Sequence, residues 1–227
     1  MAEPGEYDGP LVRGMRHGKG KLTLASGDVY EGTFKKDKRD GVGVLKYKNG
    51  RDEYTGQFTS GLRNGAGVLK TADSAFDGQW AQDKCNGSGT LTYANGDTFS
   101  TSFVRGERTP GPLKYTTGDG HSYDGDVVVD SERIVRVGAG KMLYAAPAAG
   151  GGGLDDPVKS YEGQWASSKK HGKGTLRTGK GAEVLVGVWE KDALLDGVWT
   201  ADSGDVFTGT FDPAAQVGCE DFVAVKG

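Results

Sequence analysis

The sequence predicts an all-β chain, an elongated single-layer antiparallel meander of tandem β-hairpins. Three observations predict it. Glycine fills 40 of 227 positions, well over twice the usual share of about 7 %. A motif of aromatic, any residue, Gly, any residue, then an aromatic or apolar residue recurs along the chain. Some ten residues after each first aromatic comes a second signature, most often Gly-x-Gly.

Composition narrows the class further. The hydrophobic fraction of 35 % is low for a thick two-layer core, since soluble domains run near ~45–50 % with Gly included. Yet four Trp, nine Tyr and eight Phe, on a chain of net charge -3, do not fit a solvated polar coil. Those rings must be buried somewhere. No stretch approaches the ~18 apolar residues of a membrane helix, and the start MAEPGEYDGP has neither the basic nor the apolar part of a signal peptide. A soluble, cytoplasmic protein is expected. Cys85 and Cys219 stand far apart with no metal-like spacing, so free thiols are expected and no zinc site. Charge is uneven: residues 1–70 carry 13 Lys/Arg against 9 Asp/Glu, and residues 182–227 carry 2 against 9.

Taken in order, the first motif reads YDGPL from Tyr7, YEGTF from Tyr30, YTGQF from Tyr54, FDGQW from Phe76, YDGDV from Tyr123, YEGQW from Tyr161 and FTGTF from Phe207. Degenerate copies, FSTSF from Phe99 and LVGVW from Leu185, keep the register. Successive starts are 22 to 24 residues apart except for one interval of 38. The second signature reads HGKGKL at His17, DGVGVL at Asp40, NGAGVL at Asn64, NGSGTL at Asn86, VGAGKML at Val137 and HGKGTL at His171. Turns such as ASGD, KNGR, ANGD and DSGD precede the next aromatic. A fixed period of this length marks a repeat architecture.

Alternation of side chains along a strand puts Tyr30, Gly32 and Phe34 on one face and Glu31, Thr33 and Lys35 on the other. The later segment likewise aligns Gly41, Gly43, Leu45 and Tyr47. The polar run Lys36 to Asp40 reads as the turn between them, and Asn49-Gly50 as the next reversal. Glycine weakens a strand by its conformational entropy, so glycines at fixed strand positions need a packing reason. Aromatic rings are expected to lie across glycines of a neighbouring strand, replacing a second layer. With ~18 strands at ~4.8 Å spacing, an unbroken ribbon would extend roughly 85 Å.

These pieces, in this order and period, resemble the MORN (membrane occupation and recognition nexus) repeat family from Tyr7 to about Phe211. The resemblance implies a stand-alone array similar to ciliary and cytoskeletal members, radial-spoke head components among them. By resemblance, the expected function is a non-catalytic scaffold or adaptor docking partner proteins in a cytoskeletal assembly, with the ciliary or flagellar axoneme first. The alternative is a peripheral membrane adaptor that recognises acidic phospholipids. No enzyme activity and no cofactor are expected.

The expected domains are a leader at 1–6, repeats one to six at 7–144, a flexible Ala/Gly-rich insertion at 145–160, repeats seven to nine at 161–211 and a C-terminal cap at 212–227. Repeat five is damaged, with Thr101 in place of the first Gly and Pro110-Gly111-Pro112 where Gly-x-Gly belongs, so strand pairing should fail there. Repeat six carries Val127 for its second aromatic. The insertion reads as a tolerated loop, or as a hinge between repeats six and seven. In repeat eight the indole of Trp199 is expected to occupy a glycine slot.

Two surfaces are predicted to bind. An aromatic groove of Tyr30, Phe34, Tyr54, Phe58, Phe76, Trp80, Tyr161 and Trp165 would receive a segment of a protein partner, unless those rings only satisfy one another. Basic turns at Lys35, Lys36, Lys38 and Arg39, and at Lys169 and Lys170, would meet acidic lipid, unless they are ordinary solvated turns. The charge gradient suggests self-association of basic first repeats with acidic last repeats. Catalytic chemistry finds no support: His17 and His171 share one register position, which marks a structural slot, and the run Gly174 to Gly181 lacks the Ser or Thr that ends a phosphate loop. No metal site and no nucleic-acid module are expected.

Overall fold

The structure is a computed structural model describing residues 3–130, 133–145, 160–178, 183–201, 203–210 and 223–224. Among them there is no helix. The chain divides into two compact units, Met1–Thr109 and Pro110–Gly227. The boundary falls at the prolines of repeat five, not at the 145–160 insertion, of which residues 146–159 lie outside the described residues, as does most of the predicted 212–227 cap.

The first unit contains β1 (Gly5–Asp8), β2 (Leu11–Val12), β3 (Met15–Arg16), β4 (Gly18–Leu24), β5 (Val29–Lys35), β6 (Lys38–Lys46), β7 (Glu53–Thr59), β8 (Leu62–Lys70), β9 (Ser74–Ala81), β10 (Lys84–Tyr93), β11 (Thr98–Val104) and β12 (Glu107–Arg108). Strand β1 pairs with β4, and from β4 onward each strand pairs antiparallel with the next, while β2 and β3 form a small hairpin of their own. The second unit contains β13 (Leu113–Thr116), β14 (Ser122–Asp130), β15 (Arg133–Leu143), β16 (Ser160–Ala166), β17 (Lys169–Arg177), β18 (Val184–Glu190), β19 (Ala193–Thr200), β20 (Val206–Thr210) and β21 (Val223–Ala224), paired antiparallel in sequence order. Each unit is therefore an antiparallel meander, as the repeat pattern requires.

The hairpin turn is tighter than the polar run suggested. Lys35 pairs with Lys38, so only Lys36 and Asp37 form the loop, with φ of 50° and 70°. Positive φ at both central residues gives the twist that a two-residue hairpin needs. Ser60-Gly61, Gln82-Asp83, Ser167-Ser168 and Lys191-Asp192 repeat that geometry. Lys38, Arg39 and Asp40 thus belong to β6 rather than to the turn.

The two glycines of Gly-x-Gly have different causes. Gly41 and Gly65, with φ of 101° and 97°, sit at bulges where the register slips between Gly32 and Phe34 and between Gly56 and Phe58. A left-handed backbone there favours Gly. Gly43 and Gly67 instead join a row of directly opposed glycines: Gly20, Gly32, Gly43, Gly56, Gly67, Gly78 and Gly89. That row ends at Thr101 in repeat five, and residues 109–112 form no strand. In the second unit it runs Gly125, Gly140, Gly163, Gly174, Gly187, Gly197 and Gly209. Gly197 therefore fills the glycine slot of repeat eight. Trp199 pairs with Leu185 as Leu45 pairs with Tyr30, so the indole takes the position of a leucine, contrary to the sequence expectation.

Candidate functional site: a cation-capped aromatic ladder

The first aromatic of each regular repeat lies flat along the glycine row. A Cβ built on Gly56 would stand 2.5 Å from the Tyr54 hydroxyl, and one on Gly67 would be equally obstructed by the same ring. Tyr30, Tyr123 and Tyr161 cover their own glycine pairs in the same way, and Phe76 covers Gly78 and Gly89. The ring thus packs directly on backbone. In repeat eight, where Leu185 replaces the first aromatic, Leu194 Cδ1 leans over Gly187 and Gly197 instead.

The second aromatic bridges two repeats edge to face. In the first unit the ring centroids run Tyr7–Phe34 5.0 Å, Phe34–Tyr30 5.1 Å, Tyr30–Phe58 5.0 Å, Phe58–Tyr54 5.2 Å, Tyr54–Trp80 5.3 Å and Trp80–Phe76 5.4 Å. In the second they run Tyr123–Trp165 5.7 Å, Trp165–Tyr161 5.0 Å and Tyr161–Trp189 5.5 Å. Edge-to-face pairs at this separation add about 0.5–1.5 kcal/mol each beyond area burial.

Polar atoms on the rings are satisfied locally. The Tyr30, Tyr54, Tyr123 and Tyr161 hydroxyls donate to the carbonyls of Thr33, Gln57, Asp126 and Gln164 at 3.0–3.1 Å, backbone oxygens that lie beside the bulge. Trp80, Trp165 and Trp189 donate from Nε1 to the carbonyls of Gly67, Gly140 and Gly174. Burial pushes each of those four tyrosines up to about 12.

A row of cations caps the rings, a feature the repeat motif does not signal. Arg39 lies 5.7 Å from the Tyr30 centroid and 5.2 Å from Phe58, Arg63 5.5 Å from Tyr54 and 4.3 Å from Trp80. Arg16, Arg136 and Lys170 occupy equivalent places over Tyr7 and Phe34, Tyr123 and Trp165, and Tyr161 and Trp189. Arg39, Arg63 and Lys170 sit second after their hairpin turns, opposite the second aromatic of their own repeats; Arg136 sits opposite Val127, which holds that position in repeat six, and Arg16 lies opposite Leu11 on the first short hairpin. Cys85 takes that place in repeat four, opposite Trp80. Burial pushes its thiol up, which makes it a poor nucleophile.

The turn of the next repeat docks onto this cation. The second turn residue donates its amide to the carbonyl of the cationic position: Asp37 to Arg16 at 3.1 Å, Gly61 to Arg39 at 2.8 Å, Asp83 to Arg63 at 3.1 Å, Ser168 to Arg136 at 3.0 Å and Asp192 to Lys170 at 3.1 Å. In return the amides of Arg16, Arg63 and Lys170 donate to the carboxylates of Asp37, Asp83 and Asp192 at 2.9 Å. Burial draws the Lys170 ammonium down while Asp192 opposes that.

The eight rings predicted to line a groove are all core residues, from 0 % exposed at Tyr30, Tyr54 and Tyr161, through Phe58, Phe34, Trp165 and Trp80, to 7 % at Phe76. They face one another and the cations, not an open channel. Of the six basic residues predicted to meet lipid, Lys35, Lys36, Lys38 and Lys169 are exposed. Arg39 and Lys170 are folded onto the rings, where their charge is engaged. Among the described residues no group of three or more His, Cys, Asp or Glu is placed to hold a metal ion.

A single-layer sheet that packs rings on its own glycines, repeat after repeat, defines a hairpin-repeat array. The MORN repeat family model matches residues 7–29, 30–50, 54–75, 76–98 and 161–183, and the chain belongs to that family. It is a non-enzymatic repeat family, whose repeats point to a protein- or membrane-binding adaptor role. The chain is 26 % identical to alsin of Rattus norvegicus over 206 residues, 90 % of this chain but 9 % of that protein's length. A solved structure of the SAS-4 (dCPAP) TCP domain in complex with a proline-rich motif of Ana2 (dSTIL) of Drosophila melanogaster is similar at 12 % identity and a TM-score of 0.36, covering 92 % of this chain and 98 % of that one. A likeness at that level carries no argument.

Proposed function

We propose that the chain is a non-catalytic scaffold that docks partner proteins in a cytoskeletal assembly, with the ciliary or flagellar axoneme the first place to look. The observation that supports a scaffold is the turn-to-strand clamp, the amide of each docked turn held by the carbonyl of the preceding repeat. Successive repeats fastened in this way within each unit present their surface side chains at fixed spacing, which suits docking better than chemistry. The axonemal placement rests on the resemblance to ciliary members of the family.

Imaging of the tagged full chain in a ciliated cell, followed by detergent extraction, tests this. Retention on the extracted axoneme is expected. A signal lost entirely with the detergent-soluble fraction overturns the cytoskeletal placement.

A peripheral membrane role is the second reading, favoured by the exposure of Lys35, Lys36, Lys38 and Lys169. It requires salt-sensitive cosedimentation with anionic but not neutral vesicles. Equal pelleting with both, or none with either, removes it.

A further inference from the structure

Two of the capping cations, Arg39 and Arg136, have no carboxylate in the turn docked beside them: Arg136 has Ser168 there, whose carbonyl accepts from its Nη2 at 2.9 Å, whereas Arg39 takes a carboxylate from elsewhere in the chain. Asp37, Asp83 and Asp192 hold the second turn position beside Arg16, Arg63 and Lys170, but beside Arg39 that position is Gly61, which brings no carboxylate. The leader fills the gap. Arg39 Nη2 donates to Glu3 Oε1 at 2.8 Å, Arg16 Nη2 donates to the Glu3 carbonyl at 2.9 Å, and the Ala25 amide donates to the Pro4 carbonyl at 3.2 Å. A Cβ built on Gly61 would come 3.6 Å from Glu3 Oε1, so the leader carboxylate stands where a side chain at position 61 would project.

The fit is incomplete. Glu3 Oε2 and Arg39 Nε are both buried, and neither has a hydrogen-bond partner among the described residues. A guanidinium and a carboxylate meet best through two parallel bonds, and here only one is made. Leaving two buried polar atoms unpaired is costly.

We propose that the slot between Arg16, Arg39 and Gly61 is a carboxylate-binding site, held in cis by Glu3, that takes an acidic side chain from an extended segment of a protein partner. An incoming Glu, free of the geometry that Pro4 imposes on Glu3, can engage Arg39 through Nε and Nη2 together. The Arg16 guanidinium then holds a backbone carbonyl of the incoming segment as it now holds that of Glu3. The tethered leader competes at an effective concentration of about millimolar, so the site is screened rather than blocked. Such a site deepens the docking role and rests on it, but its test does not depend on where the protein resides.

The probe is a C-terminally amidated peptide of sequence Gly-Glu-Gly-Glu-Gly carrying fluorescein on its N-terminal amine, into which the full chain is titrated with anisotropy as the readout. A Gln-for-Glu version of the peptide is the control. The Glu3→Gln variant removes the competing charge without shortening the leader, and it is expected to bind the acidic peptide at least about tenfold tighter than the unmodified chain. Adding Gly61→Asp supplies Arg39 with the carboxylate that the turns beside Arg16, Arg63 and Lys170 have, without touching either arginine, and is expected to abolish the gain. Binding should also shift the Arg39 Nε–H and Gly61 amide resonances. Equal affinity of the unmodified chain and Glu3→Gln, persistence of binding in Glu3→Gln/Gly61→Asp, equal binding of the Gln peptide, or no binding to Glu3→Gln at millimolar protein each overturns the proposal.

Discussion

The guanidinium carbon of Arg63 lies 4.3 Å from the centroid of the Trp80 ring, and its Nε lies 3.1 Å from Asp83, in the turn that follows that ring. One side chain therefore ties the face of a ring to the loop next to it. Replacing Arg63 by Met keeps the length of the side chain and removes the charge, and should destabilise the first unit by about 1–2 kcal/mol. In a double-mutant cycle with Trp80→Phe, the pair should couple by about 0.5–2 kcal/mol in urea denaturation. Strict additivity would mean that the cation is mere surface charge.

The glycine row predicts a position-dependent cost. Gly67→Ala puts a methyl under the Tyr54 ring, and the expected loss is about 1–3 kcal/mol, typical of overpacking. Gly50 has φ of 69° with nothing within 4 Å of a Cβ, so Gly50→Ala meets only backbone strain of about 1 kcal/mol. Parallel denaturation curves check the order. If Gly50→Ala proves the costlier, rings do not seat on the glycines.

Tyrosine burial predicts alkaline unfolding. Tyr30, Tyr54, Tyr123 and Tyr161 hold their protons to about 12 when folded, against 10.0 ordinarily. The folded state then binds more protons than the unfolded state between those values, so stability is intact below pH 10 and falls as pH rises towards 12. Tyrosinate absorbance should rise together with loss of the far-ultraviolet sheet signal. Full titration near pH 10 with the sheet intact would contradict the burial.

Indole hydrogen bonds predict a smaller, directed effect in the second unit. Trp165→Phe preserves a ring at the bridging position but leaves the Gly140 carbonyl without its Nε1 donor at 3.0 Å. A loss of about 1 kcal/mol is expected, accompanied by faster amide exchange around Gly140. A variant as stable as the parent would show that water replaces the indole without cost.

Much of the fold was legible because strands repeat with period two and the motif keeps its phase. Tyr30, Gly32 and Phe34 fall on one face by counting alone, and the need for a packing reason at Gly43 follows from what glycine does to a strand. The hairpin turn was harder to read. Lys36 and Asp37 adopt positive φ without being Asn-Gly, because the bulge at Gly41 and the hydrogen bond that the Asp37 amide donates to the Arg16 carbonyl hold them there. Trp199 was misplaced because counting from a motif cannot see that Gly197, not position 199, stands opposite Gly187.

The hairpin repeat, the glycine row and the failure of that row at Thr101 and the prolines can be read along the chain. These are local consequences of side-chain alternation and of backbone freedom, which are written residue by residue. That the rings form a core and not a groove, and that Arg39 and Lys170 cap rings while Lys35 and Lys36 face solvent, emerges from the packing of one repeat on the next. The reason is physical. A ring is hidden or exposed according to what the neighbouring repeat lays over it, and a cation is free or engaged according to which ring and which turn lie across the sheet from it. Neither relation is fixed by neighbours along the chain.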